Sequence, residues 1–246
     1  MKKKTMAVAC LLLALLSYGT SSCTSKSENA SAQTNQTLVL TSSDDPLTNL
    51  KEGNSRFCSG KLIHNHQDIE RIKELTSGQD PKAVVITCSD SRVPPEIIFD
   101  QGLGDIFTIR TAGNVMSDYE EGSVEYAAEH LHTNLIVVMG HESCGAVTAM
   151  IEHTDASGNK ENDKEHEHDH ITSIIEALEN EEEAKEALQE NKENRCSAMV
   201  KANVIHGVKQ LRNSKPILSD LYKDKEVQIV GAIYHLDTGK VEFLDI

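Results

Sequence analysis

Two short segments carry most of the chemistry this sequence can offer. One is Cys88-Ser89-Asp90-Ser91-Arg92-Val93, the other His141-Glu142-Ser143-Cys144-Gly145. Two thiolates and one imidazole are a donor set suited to Zn²⁺, and three protein ligands leave the fourth tetrahedral position for water or an exchangeable ligand. His-x-x-Cys alone would be weak, because a helix start puts such residues together by chance. Joined to Cys88, with Asp90 and Arg92 beside it, the pattern becomes specific. Zinc lowers the pKa of a bound water to about 7 in hydrolytic sites. Two thiolates cancel the metal's formal charge, so less acidification is expected here. A carboxylate at Asp90 compensates by accepting a hydrogen bond from the attacking water. Arg92 can hold that carboxylate in a bidentate pair, off the metal.

These segments lie 53 residues apart, from Cys88 to His141, so the fold must bring them together. Each follows a short, continuous apolar run: Ala83–Thr87 before the first, Leu135–Met139 before the second. Further strands are predicted at Asp105–Ile109, Val227–Tyr234 and Val241–Leu244, the last two joined by the Asp237-Thr238-Gly239 turn. Helices are predicted from the Asp44-Asp45-Pro46 cap past Leu47, Leu50 and Phe57, then over Gln67–Ser77, Ser123–His132 and Cys144–Ile151, with a short turn after Pro94-Pro95. Strands alternating with helices predict an α/β fold: a mainly parallel sheet of four strands plus a C-terminal antiparallel edge strand, flanked by helices. The chain has only 4% aromatic residues and no Trp, which suits an aliphatic sheet core. In such sheets ligands bind beyond the carboxyl ends of the strands, where both segments would lie.

The ends and the middle of the chain read differently. Lys2, Lys3 and Lys4 precede an apolar run, Met6–Leu16, too short to span a bilayer, and then Thr20-Ser21-Ser22-Cys23. This predicts a signal peptide over 1–22 and export to the cell envelope, with Cys23 as a lipid attachment site in the manner of a bacterial lipoprotein, against the plainer reading of a soluble cleaved protein. Residues 23–43 are rich in Ser, Thr, Asn and Gln and read as a tether. The domain is expected over 44–246, with an insertion at about 152–194 carrying fifteen acids, four lysines and a net charge of −11. The whole chain is at −15, which argues against nucleic acid or an anionic lipid surface as a partner; membrane contact would run through the lipid alone. In the insertion, Gly158–His170 is expected as an exposed loop and Ile171 onward as a helix with a charged face. The loop portion, about His153 to His170, is expected to be dispensable for chemistry.

Other metal-binding residue types have weaker contexts. His166, His168 and His170 alternate with acids and read as a solvated loop rather than a metal site. Cys58 and Cys196 are expected as buried free thiols rather than a disulfide.

Taken with Arg110-Thr111-Ala112-Gly113-Asn114, Val124-Glu125-Tyr126-Ala127 and Gly231-Ala232-Ile233-Tyr234, the two segments resemble the signature of the β-class carbonic anhydrases. The resemblance runs from about Asn49 to the C-terminus, apart from the insertion. It implies one zinc per subunit on Cys88, His141 and Cys144, with Asp90 and Arg92 as the catalytic dyad. It places Gln79 on substrate across a dimer interface, and Phe107 and Tyr126 around a small apolar CO₂ pocket. The implied reaction is reversible hydration of CO₂ to bicarbonate and a proton, in a homodimer or homotetramer. The alternatives are hydrolysis of COS or CS₂ on the same fold, and a metal-binding lipoprotein that has lost catalysis. Asp90 and Arg92 argue against the last, since zinc storage needs neither. Some family members let the Asp bind zinc, with bicarbonate held near a Trp. A chain without Trp favours the open form.

Overall fold

The computed structural model describes residues 45–157 and 169–246. The predicted signal peptide, Cys23, the tether and most of the His-rich loop lie outside them. Five strands form one sheet in the order β2-β1-β3-β4-β5: β1 (Ala83–Cys88), β2 (Ile106–Thr111), β3 (Leu135–His141), β4 (Gln228–Tyr234) and β5 (Val241–Phe243). The first four are parallel, and β5 runs antiparallel to β4, as expected from the sequence.

The central strands β1 and β3 are buried along their whole length and almost wholly apolar, because both faces of the sheet are covered there. Val84, Ile86, Ile136 and Val138 point to one side, against α4 (Asp118–His130), the C-terminal half of α8 (Lys192–Asn213) and α9 (Ile217–Lys223). Their alternates Ala83, Val85, Leu135, Val137 and Met139 point to the other, against α1 (Pro46–Cys58) and α3 (Pro95–Ile98). Fully burying one such side chain contributes about 1.5–3 kcal/mol. Asn54 of α1 is buried and donates to the carbonyls of Ile98 and Gly239 while accepting from the Val241 amide. That one side chain pins α1 to the β4–β5 hairpin.

Local signals explain most of the element ends. The Asp45 side chain accepts from the Thr48 amide, with Pro46 opening α1. Asp68 caps α2 (Ile69–Glu74), which a 3₁₀ turn continues to Ser77. Helix α4 starts at Asp118 rather than Ser123, because the Ser117 amide donates to Glu120 at 2.9 Å and closes a capping box.

Two differences are larger. No element was expected between 195 and 226, yet α8 is 22 residues long. It lies so close on the sheet that a Cβ on Gly140 would meet Val204 at 2.7 Å. The insertion also contributes to the core. Helix α5 (Gly145–Ser157) runs into it, and α6 (His170–Glu179) and α7 (Ala184–Ala187) follow. Ile174, Ile175, Leu178, Ala184 and Ala187 pack in one cluster with Cys88 and Cys144. The charged face expected for α6 therefore has an apolar opposite face that covers the chemistry.

Candidate metal centre

Cys88 is the last residue of β1 and His141 the last of β3, two neighbouring parallel strands. Cys144 immediately precedes α5. Their ligand atoms lie within 4.8 Å of one another and all three residues are buried. No other group of three or more His, Cys, Asp or Glu side chains among the described residues is close enough to hold an ion.

The surroundings prepare the three for a cation. His141 is fully buried, and its Nδ1 donates to the carbonyl of Glu142 at 2.8 Å, which leaves Nε2 as the lone-pair nitrogen. That Nε2 is buried with no hydrogen-bond partner. An orphaned acceptor among sulfurs is costly unless something electrophilic completes it. Cys88 Sγ accepts from the amides of Asp90 at 3.4 Å and Gly113 at 3.3 Å. The Cys144 thiol beside it, aided by His141 and those amides, holds the Cys88 thiol well below the ordinary thiol range despite burial. Cys144 is pushed up, first by the Cys88 sulfur and then by burial, although the amides of Val147 and Ala146 at the start of α5 work the other way. The pair thus keeps one proton, which a divalent cation would displace. Cys₂His geometry with a buried orphan nitrogen fits zinc.

Asp90 stands at the rim. Arg92 Nε donates to its Oδ1 at 2.9 Å and Nη2 to its Oδ2 at 2.7 Å, and the Arg92 amide adds a third bond to Oδ1. The guanidinium holds the carboxyl far below the usual carboxylate range, so Asp90 is an ionised acceptor. Oδ2 is 3.9 Å from His141 Nε2, yet Asp90 falls outside the group of mutually close donors. The bidentate pair expected from sequence is present.

Several supporting residues had no assigned role. Arg110 Nε donates to the Cys88 carbonyl at 3.0 Å and Nη2 to the Asp90 carbonyl at 2.6 Å, bracing the whole Cys88–Arg92 turn. Gly113, at φ +68°, brings its amide onto Cys88, and a Cβ there would meet Ala146 at 2.9 Å. Asn203 of α8 is buried and donates to the Gly113 carbonyl at 2.7 Å. Arg110 and Gly113 sit in a motif that the resemblance quotes, but nothing in the sequence around Asn203 signals its part.

The remaining predicted residues are elsewhere. Gln79 is exposed ahead of β1, at the amino end of the sheet. Phe107 pairs with Val84, whereas Cys88 pairs with Thr111, so Phe107 lies four residues down β2 from the metal level, roughly 13 Å. Its ring is 6.3 Å from that of Tyr126, which is 47% exposed. Within one chain the fold brings Phe107 and Tyr126 together, but at the end of the sheet opposite to the cysteines. Cys58 is free and exposed at the end of α1, not buried as expected, and Cys196 is free and half-buried on α8. His66, His153, His206 and His235 each pair with a carboxylate rather than gathering as ligands.

A parallel α/β sheet with a buried Cys₂His centre beyond two strand ends defines a narrow class of proteins. The family model for carbonic anhydrase matches residues 83–241, and the chain belongs to that family, in its β class. A carbonic anhydrase of Mycolicibacterium smegmatis is 55% identical over 106 residues, 43% of this chain and 52% of that protein. One from Pseudomonas aeruginosa is 32% identical over 71% of this chain and 78% of its own length. The chain thus spans about half the length of the mycobacterial relative and more of the pseudomonad one. The solved structure of the β-carbonic anhydrase CcaA superposes with a TM-score of 0.62 at 26% identity, covering 81% of this chain and 95% of that one.

Proposed function

We propose that the chain catalyses the reversible reaction of CO₂ with water to give bicarbonate and a proton. The observation that carries this is the conjunction of an orphaned His141 Nε2 between two cysteine sulfurs with an ionised, Arg-locked Asp90 at the rim. Zinc held by Cys88, His141 and Cys144 would supply the Lewis acid that makes water a nucleophile near neutral pH. Asp90 accepts a hydrogen bond from the attacking water and so aims its lone pair at the carbon. Arg92 keeps Asp90 charged and turned the same way through each turnover. The apolar cluster of Val147, Met150 and Leu178 behind the cysteines excludes bulk water from that side. Stopped-flow CO₂ hydration on zinc-loaded protein tests the proposal. Asp90→Asn should lose about 100-fold in rate with zinc retained, in the range that losing a positioned proton acceptor costs. An inactive wild type, or an unaffected variant, would sink it.

The working unit in this reading is at least a homodimer. Gln79, Phe107 and Tyr126 sit too far from their own chain's cysteines to touch its substrate, so a pocket built from them serves a neighbour. The site of work is the cell envelope. Lys2–Lys4, Met6–Leu16 and Cys23 support export and lipidation. About 20 tether residues would reach roughly 25 Å as a flexible coil, clear of the headgroups. Fractionation of wild type beside Cys23→Ala decides the anchor. The wild type should be in the membrane fraction and the variant soluble; an unlipidated, soluble wild type ends the lipoprotein reading alone.

A further inference from the structure

Glu142 and Ser143 are the only residues between two of the three metal-site ligands, His141 and Cys144. Their conformation therefore sets where both ligands point. Ser143 has φ +52°, a region that L-residues other than Gly enter at a cost of order 1–3 kcal/mol. Something must over-determine so short a connector.

Glu142 is held at every polar atom of its backbone and side chain. Its amide donates to the Tyr234 carbonyl at 3.1 Å, carrying the β3–β4 ladder one step past His141. Its carbonyl accepts from His141 Nδ1. Its Oε1 is 2.7 Å from His235 Nδ1, and its Oε2 accepts from the Leu236 amide at 3.3 Å. His235 is in turn fixed from outside, with Nε2 3.2 Å from Glu242 Oε2 on β5. Its backbone is closed into the hairpin, the amide donating to the Lys240 carbonyl at 2.8 Å and the carbonyl accepting from Gly239 at 2.9 Å. Carboxylates on both ring nitrogens make the imidazole a two-ended strut between β5 and the connector. The strut is only partly exposed, 28% for the His235 side chain, which limits competition from water.

We infer that His235 is a positioning residue for the metal centre: braced by Glu242, it clamps Glu142 so that the Glu142 carbonyl fixes the His141 ring and the connector delivers Cys144. This rests on the zinc reading above. Partners one shell out from a metal commonly change affinity or activity by 10–100-fold when lost. Here the loss would act on two ligands at once.

The experiment measures zinc release from full-length, zinc-loaded protein into a chromophoric chelator, and the visible absorption of the Co²⁺-substituted protein. His235→Ala and His235→Phe should release zinc about 10–100-fold faster than wild type and shift the Co²⁺ bands. His235→Gln, which can still donate to Glu142, should recover to within about threefold of wild type. A merely structural role would lower the melting temperature while leaving the release rate and the Co²⁺ spectrum in place, and that result would overturn the inference. If the His235 variants misfold by circular dichroism, Glu142→Leu, which removes the acceptor of the His235 bond, takes their place: unchanged release from it would overturn the inference equally. Wild type that holds no zinc would instead refute the metal reading, a separate outcome visible before any variant is made.

Discussion

The two ends of the sheet are finished to different degrees. At the carboxyl end, one chain supplies Cys88, His141 and Cys144, buries all three, and braces them through Arg110, Gly113, Asn203 and Glu142. At the amino end, Gln79 is exposed and the Phe107–Tyr126 pair has nearly half of Tyr126 open to solvent. Helix α2 adjoins it with no buried residue, and Ile69 and Ile72 are 62% and 51% exposed. Ligand chemistry tolerates little slack, since a metal needs its donors placed to a few tenths of an ångström, and here one chain supplies all three. A small apolar pocket needs only complementary walls, and these can come from a second copy in a symmetric dimer.

The largest effect that could break this comparison is at the finished end. Cys144→Ser replaces one of two thiolates with a poor zinc ligand. Zinc affinity should fall by on the order of 100-fold or more, at least the upper end of what loss of an outer partner costs. Metal analysis after dialysis against a chelator reads it directly. Stoichiometric zinc in the variant would mean that the centre is not the one described.

A smaller effect sharpens the unfinished end. Asp90→Asn damages only the metal half of a site, and a Gln79→Ala/Tyr126→Ala double variant damages only the pocket half. If the halves come from different chains, co-refolding the two inactive proteins makes heterodimers with one wholly intact site each. Activity should return to about a quarter of wild type, because random pairing in a symmetric dimer puts half of the chains in heterodimers. If the halves belong to one chain, the mixture stays as inactive as its parents.

The same contrast shows what the sequence could disclose. Strands β1 and β3 are legible because two-sided burial writes them as nearly unbroken aliphatic runs, and the ligands because Cys88 and His141 close those runs. The start of α4 carries no apolar signal, because Asp118–Gly122 has no apolar periodicity, only the Ser117–Glu120 box. Helix α8 is hidden in the sequence although Met199, Val200, Val204, Val208 and Leu211 mark one face, since Lys201, Asn203, His206 and Lys209 interrupt them. In the insertion that holds α6 the acids dominate the charge, while Ile174, Ile175 and Leu178 do the packing. The Glu142–His235 contact joins residues 93 apart, and only the β3–β4 register decides that they meet. Of the stretch His153–His170 expected to be a dispensable loop, residues 153–157 belong to α5, and residues 158–168 lie outside the described residues.

Even the finished end leaves a buried carboxyl unsatisfied. Glu181, between α6 and α7, is 3% exposed, and its Oε2 has no hydrogen-bond partner among the described residues. Its neighbours Leu178, Ala184 and Ala187 belong to the cluster around the cysteines. The nearby charges are those of Glu183, itself paired with Lys209 and His206. Burial first, and then Glu183, push the Glu181 carboxyl up to about 8 from an ordinary 4.5. The folded state therefore keeps a proton that the unfolded chain has already released once the pH passes about 4.5. Stability contributed by this group must fall as pH rises from there, by up to about 1.4 kcal/mol per pH unit, and level off above about 8. Glu181→Gln keeps the shape and removes the charge. Urea melts of both proteins at pH 6 and pH 8.5 should show the wild type losing on the order of 2 kcal/mol more than the variant. Parallel pH dependences would mean that the carboxyl finds a partner or water in solution, and that this end of the molecule is as complete at α6–α7 as it is at the cysteines.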